Sequence, residues 1–283
     1  MEPIDIKDGL AIYEIGAGDP ILLFPYPHGY TRTRTAEGGL FEMLGAMGHR
    51  VITFDPPGAY ASSRRPDVGM PEMLACAAEV MKARGLSGPV PVVGHSMGGL
   101  CALGLALERP DLVSRLVIID SLTGGPAVRR HRAMPYNWGY VSLSFWRFVW
   151  HGGKIGRGRG TLRDHKILQR LVMNASYHDR GFLAAHLADI GPDLETDRDS
   201  PPPARDIWPV RILRLDYAKR LSEIQTPTLV MAGHYDPQVP EAAARDIASG
   251  IAGARLVVFS QSGHYPYLEQ PELFKSEIKT FLA

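Results

Sequence analysis

The feature that most constrains this chain is a serine at a sharp turn between a strand and a helix. Residues Val90–Leu100 read VPVVGHSMGGL, where an apolar, β-branched run leads into Gly94, Ser96 and Gly98, and no helix breaker follows until Pro110. A serine on so tight a turn needs neighbours with little or no side chain. The G-x-S-x-G pattern therefore predicts a strand, a turn and a helix, with the hydroxyl exposed at the apex.

The same turn predicts a place where negative charge is stabilised. Met97 is expected to open the helix. Backbone N–H groups at a helix N-terminus lack intrahelical partners and carry the positive end of the helix dipole, so they favour a developing oxyanion. The alternative is a glycine-rich turn without chemistry, because the chain contains 30 glycines among 283 residues.

Length and composition favour one large α/β domain, alone or with a smaller inserted one. Apolar residues make up 45% and charged residues 22% of the chain, and the net charge of +1 suggests neither nucleic acid nor a membrane as the main partner. The N-terminus has no apolar signal-like region, and the two cysteines do not suggest a disulfide framework. A cytoplasmic protein without a membrane anchor is expected.

Short apolar runs alternate with helical patterns along most of the chain. Strands are predicted over 10–15, at the sheet edge, and over 21–24, 51–54, 90–93, 116–119, 228–232 and 255–259. Helices are predicted over 41–47, 73–83, 241–251 and 271–282. This alternation predicts a parallel sheet with right-handed crossovers, whose ligands bind at the carboxyl ends of the strands.

The middle of the chain has a different character. Residues 122–224 contain no buried-strand run, and we predict that they form a helical lid inserted into a core of residues 1–121 and 225–283. Helices are predicted over 162–173 and 180–190, and the sequence HGGKIGRGRG at 151–160 is interpreted as a basic, mobile loop. The tryptophans of residues 122–224 need to be buried, which argues against a disordered linker.

A serine nucleophile needs a base within hydrogen-bond reach and an acid that orients the base. Asp236 follows a predicted buried strand, and His264 follows the next one in the sequence SGHYP. The order Ser96, Asp236, His264 is the one that strand–turn–helix serine enzymes use. Asp120, at the end of the preceding core strand, is a rival for the acid.

Over essentially its whole length the chain resembles α/β-hydrolase-fold serine hydrolases with a helical lid, in the proline iminopeptidase and esterase-like branch. The matching pieces are GHSMGG, FDPPGAYASS, AGHYDPQVP and SGHYPYLEQPELF. The resemblance implies that Ser96 is the nucleophile and His264 the general base and then acid. It implies that Asp236 holds the imidazole, that the reaction passes through an acyl-enzyme, and that no cofactor is needed.

One segment departs from the pattern of these relatives. They usually have His-Gly just after the strand equivalent to 21–24, and a backbone N–H that follows becomes the second oxyanion donor. Here Pro25, Tyr26 and Pro27 precede His28. Proline has no N–H, so the resemblance implies Tyr26 as the second donor beside Met97, with His28 as the alternative.

Substrate inference rests on fewer residues. The aromatic residues of the lid, Trp146 among them, and His28 near a strand end are expected to line an apolar pocket for a small molecule. The function predicted first is hydrolysis of a carboxylic ester, thioester or lactone. Two alternatives stay open: an aminopeptidase or amidase, whose lid carboxylates at 189–199 would bind a substrate amine, and a receptor or non-hydrolytic lyase. The scattered histidines lack metal-ligand spacing, so no metal is predicted.

Overall fold

A computed structural model describes residues 3–25, 36–58, 61–63, 65, 69–133, 143–157, 159–184 and 214–283. Its centre is one eight-stranded sheet, and the strands are numbered β1 to β8 in chain order. They are β1 Asp5–Lys7, β2 Leu10–Ile15, β3 Pro20–Phe24, β4 Arg50–Phe54, β5 Val90–His95, β6 Val113–Ile119, β7 Thr228–Gly233 and β8 Arg255–Phe259.

The sheet is mostly parallel. Its order is β1-β2-β4-β3-β5-β6-β7-β8, and only the β1–β2 and β2–β4 pairs are antiparallel. The strands from β5 to β8 therefore end side by side at one edge. This is the arrangement that the alternating sequence pattern predicts, and it brings the residues after β5, β6, β7 and β8 together.

Helices cover the sheet and also lie in the connection between β6 and β7. They are α1 Ala36–Ala46, α2 Met70–Ala83, α3 Met97–Glu108, α4 Gly125–Arg130, α5 Leu143–Gly156, α6 Leu162–Ser176, α7 Glu241–Gly250, α8 Pro266–Glu269 and α9 Pro271–Leu282. Short 3₁₀ helices lie at Pro110–Leu112 and Ala218–Glu223. In the part of the chain that the structure describes, no helix is both long and apolar enough to cross a bilayer.

The core lies on both faces of the sheet. On β3, Leu22 and Phe24 pack into one hydrophobic cluster, and Ile21 and Leu23 pack into the other. Successive side chains of a strand point to opposite faces, so a strand covered on both sides needs a continuous apolar run. This explains why the central strands are uninterrupted hydrophobic segments in the sequence.

The predicted strands and helices of the core are confirmed, with one correction in the core and one in the segment between β6 and β7. The strand Leu10–Ile15 is not at the edge, because Asp5–Lys7 pairs outside it. The segment 151–160 is not entirely a loop, since α5 continues to Gly156. Of the helix predicted over 180–190, residues 180–184 are helical, and the rest lies outside the described residues.

Candidate active site

Ser96 lies at the apex of the predicted turn in a strained backbone conformation. It joins β5 to α3 with φ 54° and ψ −121°, a region that non-glycine residues rarely adopt. Two hydrogen bonds hold it there. The Ser96 N–H donates to the carbonyl oxygen of Ile119 at 2.8 Å, and the Ser121 hydroxyl donates to the Ser96 carbonyl oxygen at 2.6 Å. The end of β6 therefore fixes the nucleophile turn.

The glycines of the turn are required by close backbone approach. A Cβ atom on Gly94 would lie 2.4 Å from the carbonyl oxygen of Gly98. One on Gly98 would lie 2.8 Å from the carbonyl oxygen of Phe24 and 3.2 Å from that of Pro25. The prediction that both positions need small residues is confirmed. The same contacts bring the end of β3 against the first turn of α3.

Asp236 and His264 form a buried, hydrogen-bonded pair. The distance from Asp236 Oδ2 to His264 Nδ1 is 2.6 Å. Asp236 Oδ1 accepts from the backbone N–H groups of Gln238 at 2.7 Å and Val239 at 3.1 Å. Because a carboxylate can only accept, the Nδ1 of His264 carries the proton, and Nε2 is left free to act as a base.

Asp120 lies beside this pair but has a different environment. Its side chain is fully buried, Oδ1 accepts from the Gly233 N–H at 2.8 Å, and its carboxyl lies within 4.8 Å of a ring nitrogen of His264. Burial, and next the negative charge of Asp236, raise the pKa of Asp120 well above its usual range. Asp236 accepts three hydrogen bonds, whereas Asp120 accepts one. The two carboxyl groups are therefore best satisfied when Asp236 is ionised and Asp120 is protonated.

His95, the residue before the serine, supports His264 from below. Its ring lies 4.6 Å from that of His264 between centroids, and its Nε2 donates to the His264 carbonyl oxygen at 2.8 Å. Burial, and next the proximity of His264, lower the pKa of His95 well below its usual value, so the ring stays neutral. His95 therefore packs against His264 as a neutral ring.

His95, Asp120 and His264 also form a group whose ligand atoms lie within 4.8 Å of one another, a spacing that a metal ion would require. Of its polar atoms, His95 Nδ1 and Asp120 Oδ2 are buried and have no hydrogen-bond partner among the described residues. His264 Nδ1 is bound to Asp236, and His95 Nε2 to a backbone carbonyl.

Two residues that the sequence did not single out anchor the histidine loop. The carbonyl oxygen of Ser176, the last residue of α6, accepts the His264 N–H at 2.7 Å, and the Ser176 hydroxyl accepts from Gln238 Nε2 at 2.6 Å. Glu269 accepts the Gly263 N–H at 2.7 Å. The inserted helices therefore contact the candidate site directly. Only Glu269 had a local signal, an acid shortly after the SGH loop.

The remaining predicted site residues are less closely tied to this group. Met97 begins α3, so its N–H belongs to the first turn of that helix. Trp146 lies on α5, where its side chain is exposed and its ring packs against Phe145 at 5.2 Å. Tyr26 and His28 lie outside the described residues, as do the acidic residues at 189–199.

Comparison with known proteins gives a consistent result. The chain is 26% identical to the sn-1-specific diacylglycerol lipase ABHD11 of Mus musculus, over 100% of this chain and 88% of that protein. It is 27% identical to a 2-hydroxy-6-oxononadienedioate/2-hydroxy-6-oxononatrienedioate hydrolase of Cupriavidus pinatubonensis, over 99% of this chain and 94% of that protein. An esterase of Thermogutta terrifontis superposes with a TM-score of 0.71 at 25% identity, covering 96% of this chain and 92% of that one.

These relatives are hydrolases, and the described fold is the one they share. The model of the family described as "Alpha/beta hydrolase family" matches residues 22–277. That range contains the serine turn and the residues that hold it, together with the buried Asp–His pair at the carboxyl edge of the sheet. The chain belongs to the alpha/beta hydrolase family.

Proposed function

We propose that this protein is a serine hydrolase that cleaves a carboxylic ester, thioester or lactone of a small, fairly apolar substrate. Ser96 is the nucleophile, His264 the general base and then acid, and Asp236 the residue that orients the imidazole. The observation that carries the proposal is the buried 2.6 Å contact between Asp236 Oδ2 and His264 Nδ1, at the same carboxyl edge of the sheet as the strained Ser96.

The proposed reaction assigns one task to each of these residues. The Ser96 hydroxyl oxygen bonds to the substrate carbonyl carbon while its proton passes to Nε2 of His264. The tetrahedral intermediate collapses, the C–O or C–S bond breaks, and His264 protonates the leaving group. Water then attacks the acyl-enzyme, His264 takes its proton, and the acid product leaves as the serine recovers its hydrogen. Asp236 stays ionised throughout and stabilises the transient imidazolium.

The oxyanion is proposed to lie between the N–H of Met97 and that of Tyr26. Met97 supplies the first donor because it opens α3. Pro25 has no N–H, so Tyr26 is the first residue after β3 that can donate. The carbonyl oxygens of Phe24 and Pro25 approach Gly98 closely, which supports a donor from this strand end beside the serine turn.

The substrate class is supported by relatives. One relative matched over the whole chain is a diacylglycerol lipase, and a structural relative is an esterase, so two of them act on esters by name. His28 is proposed to line the apolar part of the pocket, whereas the side chain of Trp146 on α5 is exposed to solvent. A second candidate is hydrolysis of an oxo-dicarboxylate, which the similarity to the 2-hydroxy-6-oxononadienedioate hydrolases favours.

The test is covalent labelling followed by a substrate panel. A fluorophosphonate probe should label the wild type and fail to label Ser96→Ala and His264→Ala. Ser249→Ala, which removes an exposed serine on α7, is the matched control and should label normally. The panel compares acyl esters of increasing chain length, a thioester, a lactone, an oxo-dicarboxylate and an aminoacyl anilide.

Each outcome has a clear meaning. Faster turnover of the esters than of the oxo-dicarboxylate and the anilide supports the proposal, and preference for the oxo-dicarboxylate supports the second candidate. A wild type that neither labels nor turns over any member of the panel refutes hydrolysis at Ser96.

A further inference from the structure

Helix α5 exposes an apolar stripe to solvent. Leu143, Trp146, Val149 and Trp150 are 74%, 54%, 43% and 66% exposed. Residues spaced by three, four and seven lie on one face of a helix, and Phe145, on the opposite face, is buried. In the described part of the chain eight large apolar side chains are exposed, and four of them are on this helix. Single exposed apolar residues are ordinary, but a contiguous stripe marks an interaction surface.

Basic residues lie on α5 and directly after it in the chain. From 143 to 163 the sequence contains five Lys and Arg residues and no Asp or Glu, although the net charge of the whole chain is only +1. The five are Arg147, Lys154, Arg157, Arg159 and Arg163. The ammonium of Lys154 lies 5.7 Å from the ring centroid of Trp150. Lys154 is paired with the buried Asp164 at 3.1 Å, and α5 itself contains no Asp or Glu.

The geometry points to a membrane surface as the partner: we propose that the exposed stripe of α5, with the basic residues that follow it, binds the surface of an anionic lipid bilayer. An amphipathic helix with Trp and Leu on one side and Lys and Arg beside them lies in the plane of the interface. Its apolar side chains enter the acyl boundary while the basic groups contact lipid phosphates. A second copy of this chain is a poorer partner, because pairing two such faces would bring like charges together.

The surface is connected to the candidate active site. Helix α5 packs against α6, and the carbonyl oxygen of Ser176 at the end of α6 accepts the His264 N–H at 2.7 Å. Docking of α5 would therefore hold the inserted helices, and the strand ends beneath them, near the lipid. The proposal goes beyond hydrolysis and does not depend on it, because binding to vesicles can be measured without turnover.

The experiment is cosedimentation of the full chain with vesicles of phosphatidylcholine alone and of phosphatidylcholine mixed with phosphatidylserine. The wild type should bind the mixed vesicles more tightly and be released by salt. Each basic residue near such a surface contributes about 1 kcal/mol, or about fivefold in affinity. Arg157→Glu with Arg159→Glu should therefore weaken binding by about 25-fold or more. Lys7→Glu with Lys279→Glu, a reversal of two exposed charges elsewhere, should change it little.

The apolar contribution is tested in the same way. Leu143→Ala with Trp150→Ala should weaken binding by about tenfold or more, because both side chains leave the acyl boundary. Ile4→Ala with Ile6→Ala, which truncates exposed Ile6 on β1 and exposed Ile4 just before that strand, is the matched control. Far-UV circular dichroism of each variant establishes that it is folded.

Three results would overturn the proposal. The first is that the wild type does not bind mixed vesicles. The second is that it binds both vesicle types equally at all salt concentrations, and the third is that the variants and their controls lose the same vesicle affinity. Light scattering adds a fourth. If the wild type is a dimer that Leu143→Ala with Trp150→Ala converts to a monomer, the stripe is an interface between copies and not a lipid-binding face.

Discussion

The roles of the two buried carboxyl groups at the site can be distinguished by a matched pair of substitutions, Asp236→Asn and Asp120→Asn. Both replace a carboxyl by an amide of nearly the same shape, so packing is preserved. They differ in the hydrogen bonds they change. Asp236 accepts from His264 Nδ1 at 2.6 Å and from two backbone N–H groups, whereas Asp120 accepts from the Gly233 N–H alone.

Asp236→Asn should lower kcat by about 10⁴. An amide in this place can offer its NH₂ group to His264, which then presents a bare Nδ1 and carries its proton on Nε2. The ring in that tautomer cannot accept the Ser96 proton, and the imidazolium loses the charge that stabilises it. KM should change much less than kcat, because the amide does not alter the substrate pocket.

Asp120→Asn should lower kcat by less than about tenfold. The protonated carboxyl that we assign to Asp120 is neutral, as an amide is. The amide oxygen keeps the Gly233 N–H, and the NH₂ group takes the place of Oδ2, which has no hydrogen-bond partner in the part of the chain that the structure describes. No charge is lost, so the fall in activity comes only from small changes in position.

The assay is steady-state hydrolysis of a soluble acyl ester by wild type and both variants across neutral pH. Near-equal losses would refute the assignment of separate roles. A loss of about 10⁴ in Asp120→Asn, with activity retained in Asp236→Asn, would make Asp120 the orienting acid.

Three further predictions concern stability. Unfolded Asp loses its proton near pH 4 while buried Asp120 keeps it, so the wild type should lose stability relative to Asp120→Asn as pH rises above that value, by at most about 1.4 kcal/mol per pH unit. If urea unfolding gives the same difference in free energy of unfolding at every pH, the assignment is wrong. Unfolded His takes up a proton below about pH 6.5 while His95 stays neutral in the folded protein. The wild type should therefore lose stability as pH falls through that range, and His95→Gln should lose less. Parallel profiles of unfolding free energy against pH for the two proteins would refute the assignment. Gly98→Ala should cost about 1–3 kcal/mol and much of the activity, because its Cβ would lie 2.8 Å from the Phe24 carbonyl oxygen; wild-type stability would show that the turn relaxes freely.

The nucleophile turn and the order of the predicted triad could be predicted because their signals are local. Gly94 and Gly98 flank Ser96 within five residues, and the steric demand that selects them acts over the same distance. Asp236 and His264 each follow an apolar run that is recognisable by itself. The sheet then brings these ends together through general rules of parallel topology.

The support of the site could not be predicted, because it depends on contacts between distant positions. Asp120 and Gly233 are 113 residues apart in sequence, and the hydrogen bond between them is set by the neighbouring places of β6 and β7. The bond between the Ser176 carbonyl and His264 likewise depends on where α6 ends. No periodicity or spacing in the sequence carries that information.

Helix α5 shows how tertiary packing overrides a local signal. The glycines at 152 and 153 and the basic residues after them favour a loop, since glycine is a poor helix former. Yet the helix continues to Gly156, with Phe145 buried and α5 packed against α6. In proteins most helical stability comes from burying one face, so a neighbouring helix can offset two glycines.

The strain at the site is distributed over neighbouring strands. Ser96 and Asp120, at the ends of β5 and β6, both have positive φ angles, 54° and 42°. Each is held by the next strand: Ser96 through the carbonyl oxygen of Ile119, and Asp120 through its N–H to the carbonyl oxygen of Met231 at 2.9 Å. Strained residues persist only where their surroundings over-determine them. The nucleophile turn and the carboxyl beside the Asp–His pair are therefore fixed by one hydrogen-bonded edge, and a change at any of these strand ends should disturb the alignment of serine, histidine and acid together.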